Sequence, residues 1–361
     1  MVRFSDVLTI VNGKNQSKVE NPNGKYPIYG SGGVMGYADD YLCGAETVVI
    51  GRKGSINKPI YVEKPFWNVD TAFGLVSNRD LLLPKYLFYF CVYFDFEQLN
   101  TTVTIPSLTK ANLLNIEMML PSLGVQQEVV NRLSKVDELI ALRKEQLAKL
   151  DQLVKSRFIE LFGTYPSNPM GWECGTIRDI VADVRYGSSR PAVDGGKYPY
   201  LRMNNITYGG ELDLTDTKRI DVPENELDKC AVRCGDVLFN RTNSKELVGK
   251  TCVYNRDEMM VLAGFVIRVR VTERVLPEFL SAFLNTDFSK QMLLGMCKAA
   301  IGQANINAQE MQNIGLYLPP IELQRQFVQF KEQTDKSKFD IQKSLEKLET
   351  LKKSLMQQYF G

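Results

Sequence analysis

Two short loops carry the residues best suited to chemistry. Arg52-Lys53, followed by Gly54 and Ser55, stands in the first half of the chain, and Arg241-Thr242-Asn243 stands at the matching place in the second. Arginine pairs bidentately with guanine and asparagine with adenine in the major groove, so such loops can read base edges. The same residues also make ordinary solvated basic loops. Arg190, Arg202, Asn204, Asn205, Lys298 and Gln303 are weaker candidates of the same kind, and Thr102 lies in a polar, extended stretch from Thr101 to Ser107. Ser31 belongs to Gly30-Ser31-Gly32-Gly33, a turn-rich loop without the Lys-Ser/Thr of a P-loop. A Gly/Ser loop can still let backbone N–H groups approach a DNA phosphate.

Catalytic chemistry is missing from this inventory. The chain has no histidine, which excludes His-based triads, HExxH zinc sites and His nucleases. No Asn/Asp-Pro-Pro-Tyr/Phe stretch of the amino-methyltransferase kind occurs, and Leu318-Pro319-Pro320-Ile321 has the wrong flanks. No glycine-rich fingerprint follows a strand and opens a helix, as a dinucleotide or S-adenosylmethionine site would require. The seven cysteines, at 43, 91, 174, 230, 234, 252 and 297, are odd in number and scattered, which suggests a reducing compartment rather than a disulfide framework. Cys230 and Cys234 are the one close pair, and a zinc site there would need two further ligands. No catalytic, cofactor-binding or metal-ligating residue is therefore expected. The net charge of +2 gives no electrostatic vote for nucleic acid, so any DNA affinity must be local or come from an assembly. No apolar run reaches membrane-span length, and Met1 to Gly13 shows no basic-then-apolar signal pattern. The expected location is cytoplasmic.

What positions the two loops is a duplication. At the offset that pairs Gly163 with Gly361, Asn115-Ile116 falls on Asn313-Ile314, Leu120-Pro121 on Leu318-Pro319 and Gln126 on Gln324. Asp137 falls on Asp335, Leu147, Leu150 and Leu153 on Leu345, Leu348 and Leu351, Lys155-Ser156 on Lys353-Ser354 and Phe162 on Phe360. The repeated element is a long helix, opened near Pro121 and Pro319, where a proline costs no hydrogen bond. Val129, Leu133, Val136, Ile140, Leu147, Leu150, Val154 and Leu161 form a heptad seam broken only by Arg143 and Arg157. In the second copy Phe327, Ile341, Leu345, Leu348, Leu355 and Tyr359 do the same, interrupted by Lys331, Thr334, Lys338 and Lys352. A rod of roughly 40 residues, about 60 Å long, cannot bury its stripe alone. The two copies are expected to pack on each other, antiparallel, as a coiled coil.

The segments before the helices share one layout. Residues 4–13 read as a short helix, followed by strands at Tyr26–Gly30, Thr47–Ile50, Ile60–Val62 and Thr71–Val76. An aromatic-rich helix follows from Lys85 to about Leu99, read as core rather than as a base-stacking platform. Ile177–Gly187 answers the opening helix, Gly196-Lys197-Tyr198-Pro199 answers Gly24-Lys25-Tyr26-Pro27, and Leu276-Pro277 answers Leu83-Pro84. The expected fold is α+β: two pseudo-twofold-related mixed α/β recognition domains at 1–119 and 164–317, each followed by a long helix, at 120–163 and 318–361.

With the duplication laid out, the chain resembles the specificity subunit of type I restriction-modification enzymes over essentially its whole length. The resemblance is carried by Thr104-Ile105-Pro106-Ser107-Leu108-Thr109-Lys110, Leu120-Pro121 with Gln126-Gln127-Glu128, and Phe158 to Gly163. The second half adds Leu318-Pro319-Pro320, Gln324-Arg325-Gln326 and Phe360-Gly361. It implies two target-recognition domains reading the halves of a split DNA site, and helices that act as a ruler. It also implies docking of two methyltransferase subunits, which bring S-adenosylmethionine. Restriction subunits using ATP and Mg²⁺ would join that core, and this chain would catalyse nothing. A free-standing DNA-binding regulator or decoy, and a coiled-coil scaffold without a DNA role, are the competing readings.

Overall fold

The computed structural model describes residues 1–100, 106–244, 246–297 and 304–361. They form two compact units, Met1–Gln146 with Ile341–Gly361, and Leu147–Asp340. Each is described by itself.

In the first unit the opening segment is not the helix expected over 4–13. Only Phe4–Val7 makes a helical turn, and Leu8–Asn12 continues as a strand. Leu8 and Ile10 are buried while Thr9 is exposed, the two-residue alternation of a half-buried strand. That strand pairs with Ala72–Ser77, which pairs with Thr47–Gly51 and then Ile60–Val62, all antiparallel. Thr47–Gly51 is buried throughout, as a central strand rich in β-branched residues should be. A second sheet joins Gly33–Ala38, Tyr26–Gly30 and Trp67–Asn68, the last pair parallel. The aromatic helix spans Pro84–Tyr93, with Tyr86, Leu87, Tyr89 and Phe90 buried in the core, and a separate turn covers Phe96–Leu99.

The second unit repeats this topology. Ile177–Ile180 makes one tight turn and Val181–Tyr186 a strand, the same departure from the helix expected over 177–187. The antiparallel sheet runs Val181–Tyr186, Val266–Val271, Val237–Asn240, Thr251–Val253. Its companion runs Lys218–Ile220, Tyr198–Leu201, Met260–Leu262, Ala231–Val232. The middle two strands of that companion are again parallel. Pro277–Leu284 takes the place of the aromatic helix.

The two long helices span Leu123–Phe162 and Ile321–Phe360, 40 residues each. Within the first unit, Arg132 donates to the Tyr359 hydroxyl at 3.2 Å, and Lys352 meets Asp137 at 2.6 Å and Lys144 meets Glu349 at 3.5 Å. Rising numbers on one helix meet falling numbers on the other, so the packing is antiparallel. Within the second unit Lys338 pairs with Asp151, Phe158 lies 5.3 Å from Phe327, and Arg157 sits over the Phe330 ring. Arg157, Lys338 and Lys352, which interrupt the seam, are thus half-buried partners across it, whereas Arg143 and Lys331 pair along their own helices with Gln146 and Asp335. Asp137 also accepts a hydrogen bond from the Tyr89 hydroxyl at 2.9 Å, tying helix to globular core.

Each long helix ends in the other copy's core. Phe360 packs 5.2 Å from Tyr86 in the first unit, and Phe162 packs 4.9 Å from Phe279 in the second. The glutamines matched by the repeat hold identical posts. Gln126 Oε1 accepts from Leu83 N at 2.9 Å, and its Nε2 donates to Leu81 O and Pro121 O. Gln324 Oε1 accepts from Leu276 N at 2.8 Å, and its Nε2 donates to Arg274 O and Pro319 O. Both side chains are fully buried, where an unmade hydrogen bond is costly. Among the described residues, no helix is long and apolar enough to cross a membrane.

Candidate nucleic-acid interface

Strand register places Arg52 and Arg241 at one backbone position. Each follows the last residue of a central strand, Gly51 or Asn240. Arg52 N donates to Thr71 O at 2.8 Å, and Arg241 N to Phe265 O at 3.0 Å. The carbonyl of Arg52 accepts from Leu108 N and that of Arg241 from Ile306 N, both at 2.9 Å. Four hydrogen bonds thus fix two arginines in the same way, in segments matched by the repeat.

The guanidinium groups then rest on rings rather than on carboxylates. Arg52 lies over Phe73 at 5.7 Å, and Arg241 over Tyr186 at 4.9 Å. No ion pair to either is present among the described residues. The weaker arginine candidates are committed elsewhere: Arg190 meets Glu226 at 2.8 Å and Arg202 meets Asp216 at 2.8 Å. The hydrogen bond and charge of Glu226 also raise the pKa of Arg190. A guanidinium without a carboxylate partner keeps its charge for an incoming acceptor, although Arg241 already donates Nη1–H to Gly264 O at 3.3 Å.

In the first unit the structure brings four candidates together. A side chain at Gly51 would meet Ser55 O at 2.5 Å and Ser31 Cβ at 2.9 Å. The glycine therefore lets Ser31, Arg52, Lys53 and Ser55 share one corner. Lys53 forms an isolated bridge to Ser107, and Gly54 N donates to Pro106 O. In the second unit Thr242 is buried, its hydroxyl donating to Asn305 Oδ1 at 2.8 Å, and Asn243 is half-buried in the short ladder with Ala304–Asn305. Asn204 is exposed on a single turn, whereas Asn205 is buried and holds that loop through Asp213 O and Asp216 O. Thr102, Lys298 and Gln303 lie outside the described residues.

Two lysines stand behind the loop bearing Asn204. Lys250 is buried and donates to Met203 O at 2.9 Å and Ile206 O at 2.5 Å. Lys290 donates to Gly249 O at 3.3 Å and lies 5.1 Å from the Tyr208 ring. Burial lowers the pKa of both, and for Lys290 the neighbouring charges of Lys250 and Lys155 add to it, bringing the group to about 8. Sequence reading did not single out Tyr186 or Phe265. A tyrosine ending a strand carries no signal of the arginine that will lie on it, and only Gly264 before Phe265 hinted at an exposed turn.

The family described as the type I restriction modification DNA specificity domain matches residues 1–152 and 169–353. The type I restriction enzyme EcoKI specificity subunit of Escherichia coli K12 is 23% identical over 335 residues, 86% of this chain and 72% of that one. The StySPI specificity subunit of Salmonella potsdam is 21% identical over 335 residues, with 86% and 72% covered. Among solved structures, the type I restriction-modification S subunit from M. genitalium superposes with a TM-score of 0.60 at 16% identity, covering 100% of this chain and 95% of that one.

Proposed function

This chain belongs to the type I restriction-modification DNA specificity family, and from that premise we propose that it is the DNA-reading, non-catalytic subunit of a methyltransferase and endonuclease complex. Residues 1–119 and 164–317 each read one half of a bipartite, asymmetric double-stranded site. The long helices, 120–163 and 318–361, set half-site spacing and dock two methyltransferase subunits. Those subunits bring S-adenosylmethionine, and restriction subunits bring ATP and Mg²⁺. This chain binds no cofactor itself and works in the cytoplasm.

The observation that carries the reading is the matched pair of unpaired arginines. Arg52 and Arg241 occupy one backbone position in two copies of one fold, while the residues around them differ. Equal placement with unequal surroundings suits two readers of unlike half-sites. The docking role draws support from Leu153 and Leu351, which the repeat puts in register and which are 47% and 46% exposed. Two equivalent apolar side chains suit two copies of one partner.

Two readers address one face of DNA when half-sites lie about one helical turn, ~34–36 Å, or a multiple apart. Adding or removing one helical turn within 140–155, with the matching change in the second long helix, should alter the gap recognised and leave both half-site sequences intact. Sequencing modified bases in DNA from cells carrying the variant checks this. An unchanged gap with altered half-sites would sink the ruler.

A further inference from the structure

Phe265 is 55% exposed and Tyr186 43% exposed, and both adjoin Arg241. The Phe265 carbonyl accepts from Arg241 N at 3.0 Å. The arginine side chain is held from two sides, over the Tyr186 ring at 4.9 Å and by donating Nη1–H to Gly264 O at 3.3 Å. The Tyr186 hydroxyl accepts from Ala308 N at 2.9 Å, the first turn of a short helix, so the ring is itself fixed. The result is a rigid cation with an exposed phenylalanine at the neighbouring, hydrogen-bonded backbone position. In the first unit, register puts Asn12 where Tyr186 stands, and the acceptor of Arg52 N, Thr71, where Phe265 stands. Arg52 lies over Phe73, which is buried, so the exposed aromatic flank belongs to the second unit alone.

Resting on the DNA-reading role above, we infer that Phe265 is a specificity-determining residue, packing on a thymine methyl one or two base pairs from a guanine read by Arg241. Hydrogen-bonded neighbours on adjacent strands stand about 4.8 Å apart. Successive base pairs rise about 3.4 Å, so two such side chains fall on the same or a nearby step. In the major groove only thymine offers a methyl group, the partner an apolar ring recognises. The guanidinium, whose charge no carboxylate meets among the described residues, makes DNA the occupant of this apolar surface. An exposed ring one backbone position from that cation then meets base edges rather than solvent.

The test uses the full-length chain co-purified with its methyltransferase partner and the duplex its modified-base map identifies. Each thymine of the second half-site is replaced in turn by deoxyuridine, which lacks the methyl. One position should weaken binding by about fourfold, the worth of one buried carbon, for wild type and for Phe265→Leu. Phe265→Ala should bind the thymine duplex about fourfold more weakly and be indifferent to that replacement. The contact is overturned if no thymine matters or if Phe265→Ala keeps the sensitivity. The complete absence of a two-part site for wild type would overturn the recognition role, and this contact with it.

Discussion

The two units solve one packing problem in opposite ways. Register puts Gly74 of the first and Arg268 of the second at the same point of the same strand. In the first unit Cys43 fills the space, and a Cβ on Gly74 would come within 2.4 Å of its sulfur. In the second unit Arg268 fills it, 2% exposed, with Asp183 at 2.7 Å and the carbonyls of Ala231 and Asp228 as acceptors. A frame that accepts either a glycine or a buried arginine with a half-buried carboxylate partner is set by strand topology, and its side chains are free to diverge. The corner that holds each arginine shows the same tolerance, with Asn12 and Thr71 around one and Tyr186 and Phe265 around the other.

Substitutions can break this equivalence or sharpen it. The largest effect is expected from Arg268→Ala, which strips a buried pair and leaves carbonyls unpaired. It should destabilise the second unit by about 3 kcal/mol, the low end for such a loss, since Asp183 keeps Arg185 at 3.0 Å. Gly74→Ala should cost the first unit about 1–3 kcal/mol by overpacking. Urea unfolding followed through each unit separately would show the two losses falling on different transitions.

Gln126→Ala and Gln324→Ala should each cost roughly 2 kcal/mol, because each leaves one buried N–H and two carbonyls without their partner. Hydrogen exchange at Leu83 and Leu276 reads this directly. Faster exchange at both sites in both variants would contradict the independence of the two posts.

A pH dependence is also expected, carried by the second unit. Lys290 loses its proton near pH 8 in the folded chain and near its ordinary 10.5 when unfolded. Between those values the unfolded state binds more protons, so stability should rise with pH across that window. Lys290→Met should flatten this rise in thermal unfolding scans from pH 7 to pH 10. An unchanged slope would place the titration elsewhere.

The duplication was legible because the helices keep identities in register, and Gln126 and Gln324 proved to hold the same hydrogen bonds. The matched loops were legible from the shared order of strands and turns before each helix, with little identity to help. The opening segments were not. FSDVLTIVNG is short enough to fit either helical or alternating periodicity, and tertiary pairing with Ala72–Ser77 decided for a strand. Nor could sequence separate committed from free arginines. Arg190 finds Glu226 only because Tyr198–Leu201, Lys218–Ile220 and the turns between them bring distant segments together. Tyr186 and Phe265 depend on the same long-range placement.

The central claim is that each unit reads its own half of one DNA site. The most direct test is a modified-base map made with wild type, Arg52→Ala and Arg241→Ala, each with its methyltransferase partner. The account predicts a two-part motif for wild type, with Arg52→Ala relaxing one part and Arg241→Ala the other, each by about 1–3 kcal/mol of base discrimination. If both variants lowered modification evenly across all sequences, or relaxed the same part, the arginines would be phosphate contacts and the claim would fall.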